Sequence, residues 1–242
     1  MLNFAHRGFS GKYPQNTMLA FEKAVEAGAD GIELDVHFSK DKELVIVHDH
    51  KLDNICNVSG CVKDYTLQEL KMFDASSDFK GVYGVNRIPM LREYFDFIKP
   101  IKGFITNIEM KTGGYPYIGL EKAVNKMIIE YGLEDRVIIS SFCHESIMLF
   151  KEINPEIKCG FLDSEWLPEY GKLTREGGVE CIHPLYTLLN EDNVREAKEN
   201  GIELNTWTVN DEESVRRLYD LGVDSVIGNY PDMTKKVLDS LK

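Results

Sequence analysis

Seven side chains that could do chemistry lie where short apolar runs of the chain end. The set holds two histidines, three carboxylates and two cations, which are His6, Arg7, Glu33, Asp35, His48, Glu109 and Lys111. Side chains two residues apart share a face in an extended strand, so Glu33 lies on the same face as Asp35. Glu109 and Lys111 are related in the same way. If the two strands are parallel neighbours, three carboxylates and one ammonium group converge at one rim.

The balance of charge in this set predicts a bound metal ion. The three carboxylates exceed the two cations by one negative charge, and a phosphodiester would add another. With both histidines neutral, one divalent cation would neutralise the site. Ligation by the carboxylates of Glu33, Asp35 and Glu109 suits a hard ion, and the sequence leaves the choice between Mg²⁺ and Ca²⁺ open.

The other four side chains suit a phosphodiester substrate. The planar guanidinium of Arg7 matches phosphate geometry, and Lys111 offers a point charge to a transition state that becomes more anionic. Cleavage also needs one group that accepts a proton from the nucleophile and one that donates a proton to the leaving alcohol. Imidazole titrates near the working pH, so His6 and His48 are the candidates. Which of them is the base and which the acid stays open.

Short β-branched runs alternate with helical periods along the chain. The first strand ends at His6 and Arg7. Further strands are predicted near residues 31–36, 103–111, 137–142, 158–162, 181–185, 203–209 and 225–228. Helices are predicted between them, and in the first of these Asn16 or Thr17 is the N-cap and Gly28 the stop. Eight such units predict an α/β fold of the (β/α)8 TIM barrel type, with the site at the carboxyl ends of the strands.

One segment interrupts this alternation. Residues 50–90 are rich in Gly, Asp, Ser and Asn and contain one short helical piece, at residues 67–72. A small polar insertion after the second strand, beside the barrel mouth, predicts a substrate lid or wall. Because such barrels commonly have about 250 residues, residues 1–242 are predicted to form a single catalytic domain.

Composition argues against several other classes of protein. A formal net charge of -12 does not fit a nucleic-acid-binding surface, which needs clustered Lys and Arg. No hydrophobic stretch approaches the roughly 20 residues that span a bilayer, and the chain starts without a signal-peptide pattern. We therefore expect a cytoplasmic protein without stable membrane association; its oligomeric state is open. Five scattered cysteines without a Cys-x-x-Cys pair predict free, mostly buried thiols.

Ten short stretches, taken together, resemble the bacterial glycerophosphodiester phosphodiesterases. They follow the family order over nearly the whole chain, and the combination is specific although each stretch alone is weak. They are residues 6–8 (HRG), 14–17 with 20–21 (PQNT, AF), 28–36 (GADGIELDV), 48–49 (HD), 52–53 (LD), 65–70 (YTLQEL), 88–89 (IP), 108–111 (IEMK), 140–142 (SSF) and 206–210 (TWTVN).

The resemblance implies a metal-dependent TIM barrel that hydrolyses glycerophosphodiesters to sn-glycerol 3-phosphate and an alcohol. It also implies roles for individual residues. The acid and base would be His6 and His48, the metal ligands Glu33, Asp35 and Glu109, the phosphate ligands Arg7 and Lys111, and Trp207 would line the glycerol pocket. In the family mechanism the glycerol hydroxyl of the substrate attacks first, and water then opens the cyclic phosphate.

The chain departs from the family pattern at four positions. Gln15 stands where the family usually has Glu, and Asn54 replaces a frequent Arg. Lys42 replaces a frequent Gly and Met90 a frequent Thr. None of these removes a predicted ligand or catalytic group, but Gln15 and Asn54 bear on the preference for the alcohol.

Two other functions compete with this hypothesis. One is a lipid phosphodiesterase that acts on lysophospholipids or sphingomyelin, which would need an exposed apolar surface around the mouth. The other is a non-catalytic barrel that binds a phosphorylated ligand or a protein partner. The remaining histidines match none of the stretches: His37 and His50 are predicted to be surface or lid residues, His144 to open a helix, and His183 to lie within a strand.

Overall fold

The computed structural model describes residues 1–56, 58–76, 79–115 and 117–242. The strands within these residues are β1 (Leu2–His6), β2 (Gly31–Phe38), β3 (Leu44–Ile46), β4 (Ile105–Met110), β5 (Val137–Ser141), β6 (Lys158–Asp163), β7 (Cys181–Pro184), β8 (Glu203–Thr206) and β9 (Ser225–Gly228). The α-helices are α1 (Met18–Glu26), α2 (Leu67–Leu70), α3 (Leu91–Ile98), α4 (Leu120–Tyr131), α5 (His144–Ile153), α6 (Tyr170–Glu176), α7 (Glu191–Glu199), α8 (Glu212–Asp220) and α9 (Pro231–Ser240).

Eight of these strands form a closed parallel barrel. Each strand pairs with the next one along the chain, except that β2 pairs with β4, and β1 pairs with both β2 and β9. Closure places the carboxyl ends of all eight strands at one rim. The predicted (β/α)8 barrel is therefore confirmed.

Alternation along β2 explains how the barrel carries polar groups at its mouth. All eight residues of β2 are buried. Ile32 and Leu34 belong to the main apolar cluster, which also contains side chains from α1, α3, α4 and α5. The residues between them therefore point to the other face, into the barrel. Strands buried on both faces are typical of parallel sheets covered by helices.

The predicted boundaries of the first helix are confirmed. Thr17 is the N-cap of α1, where its hydroxyl accepts a hydrogen bond from the Ala20 N–H at 3.2 Å. Gly28 follows the helix with a φ of +79°, a left-handed conformation that favours glycine. This helix returns the chain to the bottom of the barrel at the start of β2.

The connection between β2 and α3 begins before the segment predicted as an insertion. β2 ends at Phe38, and the chain turns back through β3 before it reaches residue 50. Within the described part of residues 39–90, the helical pieces are α2 and short 3-10 stretches such as Val62–Asp64. The segment has an apolar cluster of its own, around Leu52, Val62 and Leu70. Residues 57, 77 and 78 of the predicted insertion lie outside the described residues.

His48 reaches the barrel mouth by a route that differs from the other site residues. The strand before it, β3, is antiparallel to β2, with Val36 opposite Ile46 and Phe38 opposite Leu44. The chain therefore runs back toward the barrel, and the Val47 N–H donates a hydrogen bond to the Asp35 carbonyl at 3.0 Å. His48 follows at the level of Asp35.

Two departures from the family pattern have local structural consequences. Lys42 adopts a φ of +65°, a conformation that a glycine adopts without steric cost. Met90 is the N-cap of α3 in an extended conformation, and its thioether is a poor acceptor for the free N–H groups of the first turn. The Glu93 carboxylate accepts a hydrogen bond from the Met90 N–H at 2.7 Å, which is half of a capping box.

Completing this capping box should stabilise the protein. We expect Met90→Thr to exceed Met90→Val in free energy of unfolding by about 1 kcal/mol, because only threonine accepts a hydrogen bond from the first turn. Threonine and valine have the same shape, so both variants lose the same packing contacts of the methionine side chain, and this loss cancels when the two are compared. Urea unfolding measures the difference, and equal midpoints for the two variants would contradict the assigned helix start.

Candidate active site

Three buried carboxylates meet at the carboxyl ends of β2 and β4. The two strands are parallel neighbours in which Asp35 lies opposite Glu109. One oxygen from each of Glu33, Asp35 and Glu109 can be chosen so that all three lie within 4.8 Å of one another. The residues are only 4%, 0% and 8% exposed, respectively. The convergence predicted from the two-residue spacing is therefore confirmed.

The carboxylates strongly perturb one another. Burial, followed by repulsion from Asp35 and Glu109, raises the pKa of Glu33 well above its ordinary value. Burial and the charge of Asp35 raise the pKa of Glu109 to about 7. Burial alone would raise the pKa of Asp35 too, but the charges of Lys111 and Arg7 outweigh it and hold that pKa below its ordinary range. Asp35 is the fixed negative charge of the group.

Arg7 is fixed by its backbone as well as by its side chain. Its φ of +56° turns the chain at the end of β1, and its N–H donates to the backbone carbonyl and the Oε2 of Glu33 at 2.8 and 3.1 Å. The guanidinium donates to Gln15 Oε1 at 2.6 Å, and its Nε lies 3.6 Å from Asp35 Oδ2. Gln15 thus keeps a hydrogen bond to Arg7 without the charge of the usual glutamate.

Lys111 approaches the other oxygen of Asp35 and also Glu109. Its Nζ is 2.7 Å from Glu109 Oε1 and 3.4 Å from Asp35 Oδ1. Burial alone would lower the pKa of Lys111, but Asp35 and Glu109 outweigh it and raise the pKa to about 12. Two permanent cations therefore bracket the acidic group.

His6 presents an unprotonated ring nitrogen to the cavity. Its Nδ1 lies 2.6 Å from the Oδ1 of Asn229, an oxygen that can only accept, so Nδ1 carries the hydrogen. Its Nε2 is then free of hydrogen and lies 3.9 Å from Glu33 Oε2. Burial, assisted by Arg7, lowers the pKa of His6 to about 3. The ring is neutral near pH 7.

His48 has a comparable arrangement with a different partner. Its Nδ1 lies 2.6 Å from Asp49 Oδ1, so this nitrogen is the donor and Nε2 is the free one. Burial lowers the pKa of His48, against the opposing effects of Asp35 and Asp49. Both predicted acid–base residues thus lie beside the carboxylates, each held through Nδ1.

Two cavities share the barrel mouth. The first, of about 170 Å³, is lined by His6, Arg7, Glu33, His48, Asn107, Glu109, Phe142, Leu162, Trp207, Thr208 and Ile227. The second, of about 340 Å³, is lined by His48, Asp49, His50, Glu109, Met110, Lys111, Gly113, Gly114, Ser141 and Phe142. His48, Glu109 and Phe142 line both. A ligand bound at the carboxylates therefore has space on two sides.

Trp207 forms part of the apolar wall of the first cavity. It follows β8, its indole N–H donates to the His183 carbonyl at 2.7 Å, and its ring packs edge-on against Phe142 at 5.6 Å. The N–H is thereby satisfied within the protein, which leaves the ring face for packing. The predicted placement of Trp207 at the pocket is consistent with this wall.

The prediction for His37 was wrong. His37 is fully buried, because it follows Glu33 and Asp35 on the inward face of β2. The two-residue alternation that identified the carboxylates contained this signal. His50 is half-buried and lines the second cavity, whereas His144 begins α5 and His183 lies within β7, as predicted.

Three supporting residues were missed by the sequence reasoning. Asn229 holds His6, Asp49 holds His48, and Asn16 donates to Asp35 Oδ2 at 2.7 Å. Asp49 and Asn16 lie within matched stretches, which is the only signal the sequence offered. For Asn229 there was none, because it lies 223 residues away from its partner.

All five cysteines are free, and Cys56, Cys159 and Cys181 are buried.

The carboxylate group fits a hard divalent cation. Its donor atoms are all oxygens, as Mg²⁺ and Ca²⁺ require. Within the described residues, Asp35 Oδ1 is buried without a hydrogen-bond partner. Burial and mutual repulsion raise the pKa values of Glu33 and Glu109 although Arg7 and Lys111 oppose the shift, so the protein itself compensates their charges only in part. A cation held by Glu33, Asp35 and Glu109 would supply it.

The closed (β/α)8 barrel thus carries a buried acidic group, two cations and two histidines at its mouth, an arrangement suited to binding a phosphate ester. The model of the glycerophosphoryl diester phosphodiesterase family matches residues 6–233. The chain belongs to this family and is an enzyme of its phosphodiesterase class, which confirms the resemblance found in the sequence.

Named relatives agree with this assignment. A glycerophosphodiester phosphodiesterase of Caldanaerobacter subterraneus is 42% identical over 231 residues, which cover 96% of this chain and 95% of the relative. One from Bacillus altitudinis is 38% identical over 241 residues, covering 99% and 98%. A phosphodiesterase of Oleispira antarctica, solved in complex with the product sn-glycerol-3-phosphate, has a TM-score of 0.87 and 29% identity, covering 98% of this chain and 96% of that one.

Adding a divalent cation should stabilise the chelator-treated protein. We expect Mg²⁺ or Ca²⁺ at 100 times its dissociation constant to raise the free energy of unfolding by about 2.7 kcal/mol. Glu33→Gln should remove most of this gain, since it removes a ligand, whereas Glu22→Gln on the exposed surface of α1 should keep it. Thermal unfolding with and without the cation measures the effect. An equal gain in both variants would disprove the site.

Proposed function

We propose that the chain hydrolyses glycerophosphodiesters to sn-glycerol 3-phosphate and an alcohol with the help of a divalent cation, Mg²⁺ or Ca²⁺. The observation that carries the proposal is the group of three buried carboxylates, bracketed by Arg7 and Lys111 and flanked by two neutral histidines. The matched family and its named relatives support the substrate class.

The charged groups would bind the phosphate and stabilise its transition state. Glu33, Asp35 and Glu109 would hold the cation, which when bound supplies positive charge to the phosphoryl oxygens. Arg7 and Lys111, which approach different oxygens of Asp35, would bind those phosphoryl oxygens. Preorganised cations are most effective where water is excluded, as at these buried positions.

The two histidines would transfer the protons. Each has a free Nε2, since Asn229 and Asp49 occupy the Nδ1 positions. One would accept at its Nε2 the proton of the attacking hydroxyl, which by family analogy is the glycerol hydroxyl of the substrate. The other would donate a proton to the leaving alcohol, and for this it must carry a proton at Nε2 as well as at Nδ1 when the substrate is bound. The assignment of base and acid to His6 and His48 stays open.

The two adjoining cavities fit a diester, which has an alcohol on either side of its phosphorus. The first cavity combines Asn107 and the apolar wall of Trp207 and Leu162, which suits a glycerol unit. The second, behind His48 and Glu109, has room for the other alcohol. We further propose that residues 1–242 act as a single catalytic domain in the cytoplasm, with the insertion after β2 as a wall beside the mouth.

A lysophospholipid is the second candidate substrate. A third, mostly apolar cavity of about 310 Å³ is lined by Tyr117, Ile118, Cys143 and Leu149 among others, and Cys143 directly follows Phe142 of the mouth. Ile118 is 89% exposed. Exposed apolar groups of this kind could receive an acyl chain.

Among the described residues no helix is long and apolar enough to span a membrane.

A coupled assay for glycerol 3-phosphate tests the proposal. We expect cation-dependent product from glycerophosphocholine or glycerophosphoethanolamine, and loss of activity with chelator. His6→Ala and His48→Ala should each lower kcat by about 10²–10⁴-fold, the usual contribution of a general acid or base. Product at the level of the His6→Ala control would rule the function out. Cleavage of lysophosphatidylcholine releases choline and no glycerol 3-phosphate, so it is followed by choline release; turnover of this substrate alone would favour the second candidate.

The pH profile should reflect the burial of the histidines. Burial lowers the pKa of both below the ordinary 6.5, and a bound cation would lower them further. The base must be neutral, so its contribution to activity is present above its lowered pKa and is lost as the pH falls through it. With the cation saturating, kcat/KM should therefore decline on the acid side only below pH 6.5. An acid limb centred above pH 7 would contradict the assignment of these histidines.

A further inference from the structure

His37 is a fully buried histidine next to the candidate site that has no role in the chemistry proposed above. It is the third polar residue on the inward face of β2, above Glu33 and Asp35. A buried imidazole is retained where its two nitrogens have partners, since an unsatisfied buried polar group is costly. The partners of His37 therefore indicate what it does.

The hydrogen bonds of His37 determine its tautomer. Its Nε2 lies 3.2 Å from the backbone carbonyl of His48, which can only accept, so Nε2 carries the hydrogen. Its Nδ1 is then an acceptor and lies 3.0 Å from the hydroxyl of Tyr117, which must donate. The result is a directed chain of hydrogen bonds from Tyr117 through His37 to His48.

The donor at the start of this chain keeps its hydrogen. Burial raises the pKa of the Tyr117 hydroxyl above its ordinary value. The hydroxyl therefore remains able to donate to His37.

The chain connects three segments that carry predicted active-site residues. His37 belongs to β2 with Glu33 and Asp35, and Tyr117 belongs to the loop after β4, six residues beyond Lys111. The acceptor is the backbone of His48 itself. Short-range packing reinforces the connection, because the His50 ring lies edge-on to His37 at 4.8 Å and is stacked on Tyr117 at 6.2 Å.

The backbone of the loop after β4 approaches the His50 ring closely at Gly114. A Cβ added to Gly114 would lie 2.6 Å from the His50 Nε2, closer than real Cβ contacts allow. The loop after β4 therefore packs closely against His50, two residues after His48. Since His48 reaches the mouth on a connection outside the barrel strands, it depends on such contacts more than His6 does, which ends a barrel strand.

We propose that Tyr117 and His37 are positioning residues, which orient His48 at the substrate through the hydrogen bond to its backbone carbonyl. This inference rests on the proposed catalytic role of His48. It assigns no chemical step to His37 or Tyr117 themselves. Residues that orient a ligand or catalytic group through hydrogen bonds typically change activity 10–100-fold when they are replaced.

The first experiment separates positioning from substrate binding. His37→Leu should lower kcat about 10–100-fold with little change in KM, while His37→Gln, which keeps one donor and one acceptor, should recover most of the loss. Tyr117→Phe should lower kcat in the same way. The matched control is Tyr94→Phe, which removes a buried hydroxyl 2.9 Å from Thr106 away from the His48 connection and should leave kcat unchanged.

A double-mutant cycle excludes a merely structural effect. In a His48→Ala background, His37→Leu should cause no further loss of kcat, because the group that it positions is already gone. An independent, multiplicative loss in that background would overturn the proposal, and so would full activity of His37→Leu. Unfolding midpoints show whether each variant is folded. If His37→Leu does not fold, His37→Gln and Tyr117→Phe still test the proposal.

Nitrogen NMR of the histidine rings provides a readout that does not need turnover. We expect His37 as the Nε2–H tautomer in the wild type, and we expect the Nδ1–H signal of His48, bound to Asp49, to broaden or shift in His37→Leu. An Nδ1–H tautomer of His37, or an unchanged His48 signal, would overturn the proposal. A wild type without phosphodiesterase activity but with these signals would instead overturn only the proposed function.

Discussion

The burial of three carboxylates within 4.8 Å of one another is the constraint on which the rest of the site depends. Lys111 and Arg7 stabilise the charge of Asp35, but they leave Glu33 and Glu109 with raised pKa values. Uncompensated buried charge is unfavourable enough that proteins bind an ion, pair the groups or protonate them. The geometry of these oxygens favours a bound cation, and that cation would then organise an anionic substrate.

The closed barrel brings these buried side chains together. Parallel strands in fixed register place Asp35 opposite Glu109, and closure brings His6 of β1 to the same rim. His48 is added by a different device, an antiparallel strand that folds back from the end of β2. One predicted acid–base residue is therefore carried by the barrel itself, and the other by a connection that must be held in place by contacts such as those of His37.

Much of the fold and the site could be predicted because the relevant signals are local. The two-residue alternation of Glu33 and Asp35, the Thr17 cap and the Gly28 stop are each encoded within a few positions. His37 was taken for a surface residue although the same alternation continues to it; only its hydrogen-bond partners, Tyr117 and the His48 carbonyl, lie on other segments and had no local signal. The antiparallel pairing of β3 with β2 joins residues on two different strands, so it too depends on the tertiary structure.

The amino-acid order alone determined which chemical groups are present, that they alternate on strands, and that the strands and helices suit a parallel barrel. Only the tertiary structure decided which oxygens lie together, which nitrogen of each histidine is free, and which residues support them. The reason is physical: side-chain direction along a strand is a local property, whereas pKa values, tautomers and hydrogen-bond partners such as Asn229 depend on groups that folding brings from distant parts of the chain.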